Sequence, residues 1–199
     1  MEVGDITKDQ ILSKEDYWNL KKNRISDTEL GVMSGMTASE AKQSAEARRI
    51  LTFHDEYHNL DKLFDDVPET LNHLKSKGIK CFVATLRREK HLRMAIKQFK
   101  LDKYLNPSFM FCMPDEKRSE GDVYEKYNLL FTSISKLGLN LHETWMVGDS
   151  DTDVHAARLA KYKKMVAINR GIRSTEQLKM LKPDHIISNL KELRELISA

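Results

Sequence analysis

The rhythm of apolar residues changes near position 67. Before it, apolar positions recur at helical spacing among many charged residues, and no run reads as a strand. Ser13 precedes KEDYWNLKKNR with Asp16 three residues on, an imperfect capping box, and Ser26 or Asp27 can start a second short helix. After the turn-like Ser34-Gly35 pair, Thr37 opens ASEAKQSAEARRILTFHDEYHNLDKLF, rich in Ala, Glu, Lys and Arg. Residues 1–66 are therefore expected to form a small helical lobe. Its acidic groups, among them Asp55, Asp65 and Asp66, are expected on solvated faces and turns.

From residue 67 onward, helix and strand signals alternate. VPETLNHLKSKG carries Pro68 in its first turn and Gly78 at its end, the usual punctuation of a helix. IKCFVAT follows as a strand ending at Thr85, then REKHLRMAIKQFK as a helix and SFMFC as a strand. A charged loop, PDEKRSEGD, leads into the helix VYEKYNLLFTSISKLG, closed by Gly138. MVAIN and HIIS are further strands, with RSTEQLKML and NLKELRELI as helices. Such regular alternation implies right-handed crossovers and an α/β core over 67–199 built on a doubly wound parallel sheet.

One stretch, TWMVGDSDTDVHAARLA at 144–160, concentrates the chemistry. Its apolar run meets a Gly-Asp-Ser turn and then helical composition, so a buried strand is expected to run straight into a helix. Ligands of open α/β sheets bind at that end of a strand. Asp149 would sit on the strand tip, and Asp153, one helical turn on, would face the same way. Two carboxylates so placed make half a site for a hard cation such as Mg²⁺. The same residues also suit helix capping, and both readings stand. An EF-hand loop shares the D-x-D-x-D opening of Asp149, Asp151 and Asp153, but it needs Gly and Glu where this chain has Val154 and Ala160.

Bulk properties narrow the classes. At 199 residues the chain can bury one ordinary core beside a small lobe. A net charge of +3, from 33 basic and 30 acidic residues well mixed along the chain, gives no nucleic-acid surface. No apolar run approaches the ~18 residues of a membrane helix, and MEVGDITKDQ lacks a signal-peptide layout, so the expected location is the cytoplasm. Cys81 and Cys112 lie in apolar strand-like runs and are expected to be buried structural thiols.

Three features then line up in chain order: Thr85 after the first strand, Lys126 at the head of a helix, and the Asp149/Asp153 pair. A hydroxyl, an ammonium and a carboxylate-bound cation converging on one crevice make a phosphate site. The Thr85 hydroxyl and the N–H of Leu86 can donate to a phosphoryl oxygen, and Lys126 can neutralise its charge.

Together these motifs resemble the haloacid dehalogenase-like (HAD) superfamily, mostly Mg²⁺-dependent phosphatases. LKSKGIKCFVAT is similar to its second motif, Lys126 has the spacing of its third, and VGDSDTDVHAARLA, with Ala156 and Ala157, is similar to its fourth. Lys117 or Arg118 remains an alternative to Lys126. PDHIISNLKELRELI resembles the usual end of such domains, and residues 1–66 resemble the helical cap that many members insert. The resemblance implies catalytic roles for Thr85 and Lys126, Mg²⁺ at Asp149 and Asp153, and a small phosphorylated metabolite, such as phosphoglycolate, a sugar phosphate or a nucleotide, as substrate. A cap that chooses the leaving group directs attention to Tyr17, Trp18, Lys21, Lys22 and Arg24, although an amphipathic helix with Trp18 packed inside and a basic solvated face is the expected explanation of that cluster.

The departure from the family pattern concerns its first motif, an apolar strand ending in D-x-D-x-[TV] whose first Asp is the nucleophile. GDITKD, FHDEYHN and LFDDVPE lack its spacing or its strand context. In the family that strand lies mid-sheet, between the strand ending at Thr85 and the one ending at Gly148, so its absence predicts two half-sheets with raw edges. The expectation from sequence is a phosphatase that lacks an upstream segment. The alternative is a non-catalytic module that binds phosphate and metal. Receiver domains also use Asp, Thr and Lys, but their acidic pair comes first and they have no helical lobe.

Overall fold

The computed structural model describes residues 12–51, 54–116 and 123–198. It divides into two compact units, 1–60 and 61–199, six residues before the boundary expected from sequence. In the first unit, α1 (Lys14–Lys22), α2 (Asp27–Met33) and α3 (Ala38–Leu51) precede a single turn, α4 (Asp55–His58). Local capping explains the starts. The Ser13 hydroxyl accepts from the Asp16 N–H, and Ser26 and Glu29 form a reciprocal capping box at α2. α1 buries none of its side chains, and Trp18 is 43% exposed. The inward-packed Trp18 expected from sequence is therefore corrected.

The second unit runs α5 (Asp66–Ser76), β1 (Val83–Arg88), α6 (Glu89–Gln98), β2 (Met110–Met113), α7 (Val123–Leu137) and β3 (Trp145–Gly148). It continues with α8 (Asp151–Leu159), β4 (Lys164–Ile168), α9 (Thr175–Met180), β5 (His185–Ile187) and α10 (Leu190–Ser198). All pairings are parallel, as the alternation predicts: β1 pairs with β2 in one sheet, and β3, β4 and β5 form another. Among the described residues, β1 and β3 each pair on one side only.

β1 begins and ends later than the sequence suggests. Gly78, at φ +70°, closes α5, where its N–H donates to the Lys75 carbonyl and that of Ile79 to the Leu74 carbonyl. This Schellman closure draws Ile79 into the helix end and keeps it out of the strand. At the other end, regular pairing stops at Ala84↔Phe111 and resumes at Arg88↔Met113, so β1 spends two more residues than β2 over that interval. Thr85 thus sits where the ladder breaks, inside β1 and not at its tip. Cys81 and Cys112 are half-buried, short of the full burial expected, and burial pushes both thiols up.

Of three apolar clusters among the described residues of the second unit, one reaches both sheets. Leu130 of α7, Met146 of β3, Val154, Ala156 and Ala157 of α8 and Met165 of β4 form it, and Phe82 and Ala84 pack against it. Ala156 and Ala157 are small, which lets α8 lie close to the strands. The Ser133 hydroxyl, buried here, donates to the Leu130 carbonyl and meets the Tyr162 hydroxyl at 3.2 Å. Leu130 is fully buried, so Leu130→Ala should cost about 2–5 kcal/mol in urea unfolding. A loss under about 1 kcal/mol would show that α7 does not join the sheets.

Candidate active site

The site is built from the turn that ends β3. Ser150 caps α8, and its hydroxyl accepts the Asp153 N–H at 3.2 Å. Asp153 returns the contact: its Oδ2 accepts the N–H groups of Asp149 (3.1 Å) and Ser150 (3.2 Å) and the Ser150 hydroxyl (2.8 Å). Its other oxygen, Oδ1, lies 2.9 Å from Lys126 Nζ, with both side chains about nine-tenths buried. Lys126 also donates to the Ala84 carbonyl at 2.7 Å. One ammonium thus ties α7 to β1 and to α8. The capping reading and the site reading describe the same carboxylate. Gly148 makes room for it, since a Cβ there would lie 2.5 Å from Asp153 Cγ.

Asp149 has a different environment. Burial, and then the neighbouring Asp153 charge, hold its carboxyl above the ordinary range, only partly offset by its own N–H, Lys126 and Arg170. No cation pairs with it among the described residues. Thr85 is turned to local use, its hydroxyl accepting the Arg87 N–H at 3.1 Å, and Leu86 follows in the irregular stretch of β1. The structure therefore brings Lys126 against the residue preceding Thr85 and against Asp153, with Asp149 beside that pair.

Sequence reasoning missed the loop after β4. Arg170 donates to both oxygens of Asp66 (2.7 and 2.9 Å), which also accepts the Leu190 N–H at 2.8 Å. Burial alone would raise the Asp66 carboxyl, but the Leu190 N–H and Arg170 hold it below its ordinary value. Asp66 is thus corrected from a solvated helix acid to an anchored one. Arg173 pairs with Asp151 at 2.8 Å. Gly171, between these arginines, lies against the Asp149 side chain. The NRG tripeptide at 169–171 was the available signal.

The residues expected to meet substrate lie in the first unit. Lys21 pairs with Asp27 at 3.0 Å, and Arg48 contacts the same carboxylate. Trp18 stacks edge-on against Tyr17 with ring centres 5.3 Å apart. Arg24 is exposed, just past the end of α1. The alternative motif residues Lys117 and Arg118, and the acids of GDITKD at 4–9, lie outside the described residues.

The donor set suits a hard cation. Among the described residues no three His, Cys, Asp or Glu side chains gather to enclose an ion, whereas Mg²⁺ is commonly held by one or two carboxylates, water and substrate phosphate. Asp149 supplies such a carboxylate, desolvated and without a cation. Asp153 has its oxygens taken by three donors and one ammonium.

Comparison with known proteins agrees with this architecture. The sequence model of the haloacid dehalogenase-like hydrolase family matches residues 6–167, and the chain belongs to that family. A provisionally named pyrophosphatase PpaX from Caldanaerobacter subterraneus subsp. tengcongensis is 32% identical over 145 residues, covering 73% of this chain and 61% of that protein. The chain spans about three-fifths of the length of the curated relatives it matches. The structure of a predicted phosphatase from Clostridium acetobutylicum superposes with a TM-score of 0.67 at 18% identity, covering 98% of this chain and 91% of that one. A provisionally named phosphoglycolate phosphatase from Lactobacillus delbrueckii subsp. bulgaricus gives 0.62 at 18%, covering 86% and 76%. These structures share the fold. Among the described residues, no helix is long and apolar enough to cross a membrane.

Two outcomes follow from the electrostatics. Lys126→Ala leaves Asp153 charged, buried and without its cation, and should cost about 3–5 kcal/mol in urea unfolding; a loss below about 1 kcal/mol would show the pair to be solvated. Asp149 keeps its proton to higher pH when folded than when unfolded, so its contribution to stability falls as pH rises just above the ordinary carboxylate value of about 4. Without metal, wild type should lose stability relative to Asp149→Asn through that window. Parallel pH curves would overturn the assignment.

Proposed function

We propose that the chain forms the phosphate- and metal-holding part of a Mg²⁺-dependent phosphatase that acts on a small phosphorylated metabolite in the cytoplasm. The observation that carries this reading is the buried Lys126 ammonium, fixed between the Ala84 carbonyl and Asp153 beside an unmatched Asp149. The Thr85 hydroxyl and the Leu86 N–H donate to phosphoryl oxygens, and Lys126 offsets their charge as it develops. Asp149 is the direct metal carboxylate in this reading, and Asp153 supports it by aiming Lys126. A bound Mg²⁺ supplies Lewis-acid polarisation of the phosphoryl group.

The phosphoryl acceptor in the proposal is an Asp on a strand seated between the edges of β1 and β3 that are unpaired among the described residues. The helical first unit acts as the cap that selects the leaving group, through Trp18, Lys21 and Arg24. Lys21 would have to exchange its Asp27 partner to do so. The names of the relatives make inorganic pyrophosphate and phosphoglycolate the first substrates to test.

In protein that also carries the acceptor strand, Asp149→Asn and Lys126→Ala should each lower Mg²⁺-dependent phosphate release by about a hundredfold or more, with Lys117→Ala near wild type. Near-normal turnover in Asp149→Asn would remove the metal assignment, and a damaging Lys117→Ala would move the motif lysine. Mg²⁺-dependent binding of inorganic phosphate without turnover of either substrate would favour the binding-module alternative.

A further inference from the structure

We infer that Gly171 is a positioning residue for the Asp149 carboxylate: its missing side chain is the slot in which Asp149 is held ready for a divalent cation. The inference rests on the reading of Asp149 as the metal carboxylate. A Cβ built on Gly171 would lie 1.7 Å from Asp149 Oδ2, 2.5 Å from its Cγ and 2.7 Å from its Cβ. Contacts under 3.0 Å to the root of a side chain are not relieved by rotating its tip, so adding one methyl group displaces the whole Asp149 side chain or the loop.

The loop has little freedom to yield. The Asn169 N–H donates to the Ile187 carbonyl at 2.7 Å, and the Asn169 side-chain amide contacts the Thr175 hydroxyl. Arg170 is fixed by two bonds to Asp66, and Arg173 by Asp151. Gly171 is thus pinned from both sides, and Asp149 is the part that moves. Backbone conformation does not explain the glycine, because the glycines with positive φ among the described residues are Gly35, Gly78 and Gly138. What position 171 requires is the absence of a side chain. A carboxylate fixed before the cation arrives binds it without a further ordering cost.

The test uses Mn²⁺ alone as an electron paramagnetic probe of the same oxygen site, with urea unfolding of the metal-free chain alongside. Gly171→Ala should weaken Mn²⁺ binding about tenfold or more, as loss of a supporting group does at metal sites. An unchanged dissociation constant would overturn the inference. In the metal-free cycle, Gly171→Ala should lower the urea midpoint of the wild type but leave that of Asp149→Gly unchanged, because the latter empties the slot. An equal loss in both backgrounds, or a double variant that does not fold, would show that the methyl collides elsewhere and would also overturn it. Equal Mn²⁺ binding by wild type and Asp149→Asn would instead remove the metal reading, while the metal-free cycle still decides the contact.

Discussion

The buried contact between Lys126 and Asp153 is the constraint on which the rest of the site depends. Two opposite charges so far from water are tolerable only when their remaining valences are met. Here they are. Asp153 takes three donors from the α8 cap besides the ammonium, and Lys126 gives a second bond to the Ala84 carbonyl. The pair therefore fixes three elements at one point: α7, the end of regular pairing in β1, and the first turn of α8. Leu130, one helical turn along α7 from Lys126, adds the apolar half of the same joint.

Two carboxylates four residues apart have been given opposite environments. Asp153 is saturated by donors, whereas Asp149 is desolvated beside a like charge. A side chain with its oxygens already committed is a structural strut, and the desolvated one is, in the proposed reading, the carboxylate left for a cation. Chemical identity does not separate the two roles; the partners do. The helix start makes this division possible, because it supplies three of the four donors that Asp153 uses.

What was legible in the sequence was local. Ser13, Ser26 and Ser150 announce helices within three residues of themselves, and the alternation after residue 67 predicts parallel strands because each crossover needs a helix. The Gly-Asp-Ser turn is local in the same way, whereas Lys126, on another helix, was singled out by its resemblance to a family motif. Contacts between distant positions were not legible. Asp66 meets Arg170 across 104 residues, and nothing near Asp66 distinguishes it from a solvated helix acid. The end of β1 was misplaced because the register shift depends on β2, which has no signature within IKCFVAT. Trp18 faces outward because α1 has no buried face, a fact about its neighbours and not about its own spacing.

The charges around the site also explain why Asp149 remains unmatched with several cations nearby. Lys126 is committed to Asp153, Arg170 to Asp66 and Arg173 to Asp151. Each of these cations has its own carboxylate within 3 Å, and Lys126 and Arg170 draw the Asp149 carboxyl down without outweighing burial and the Asp153 charge. Arg170 is further held against the Phe64 ring, 4.0 Å from its centre, and has no freedom to swing across. In the proposed reading, pairing off these competitors leaves Asp149 for a small hard cation such as Mg²⁺, which takes oxygen ligands and keeps much of its own water.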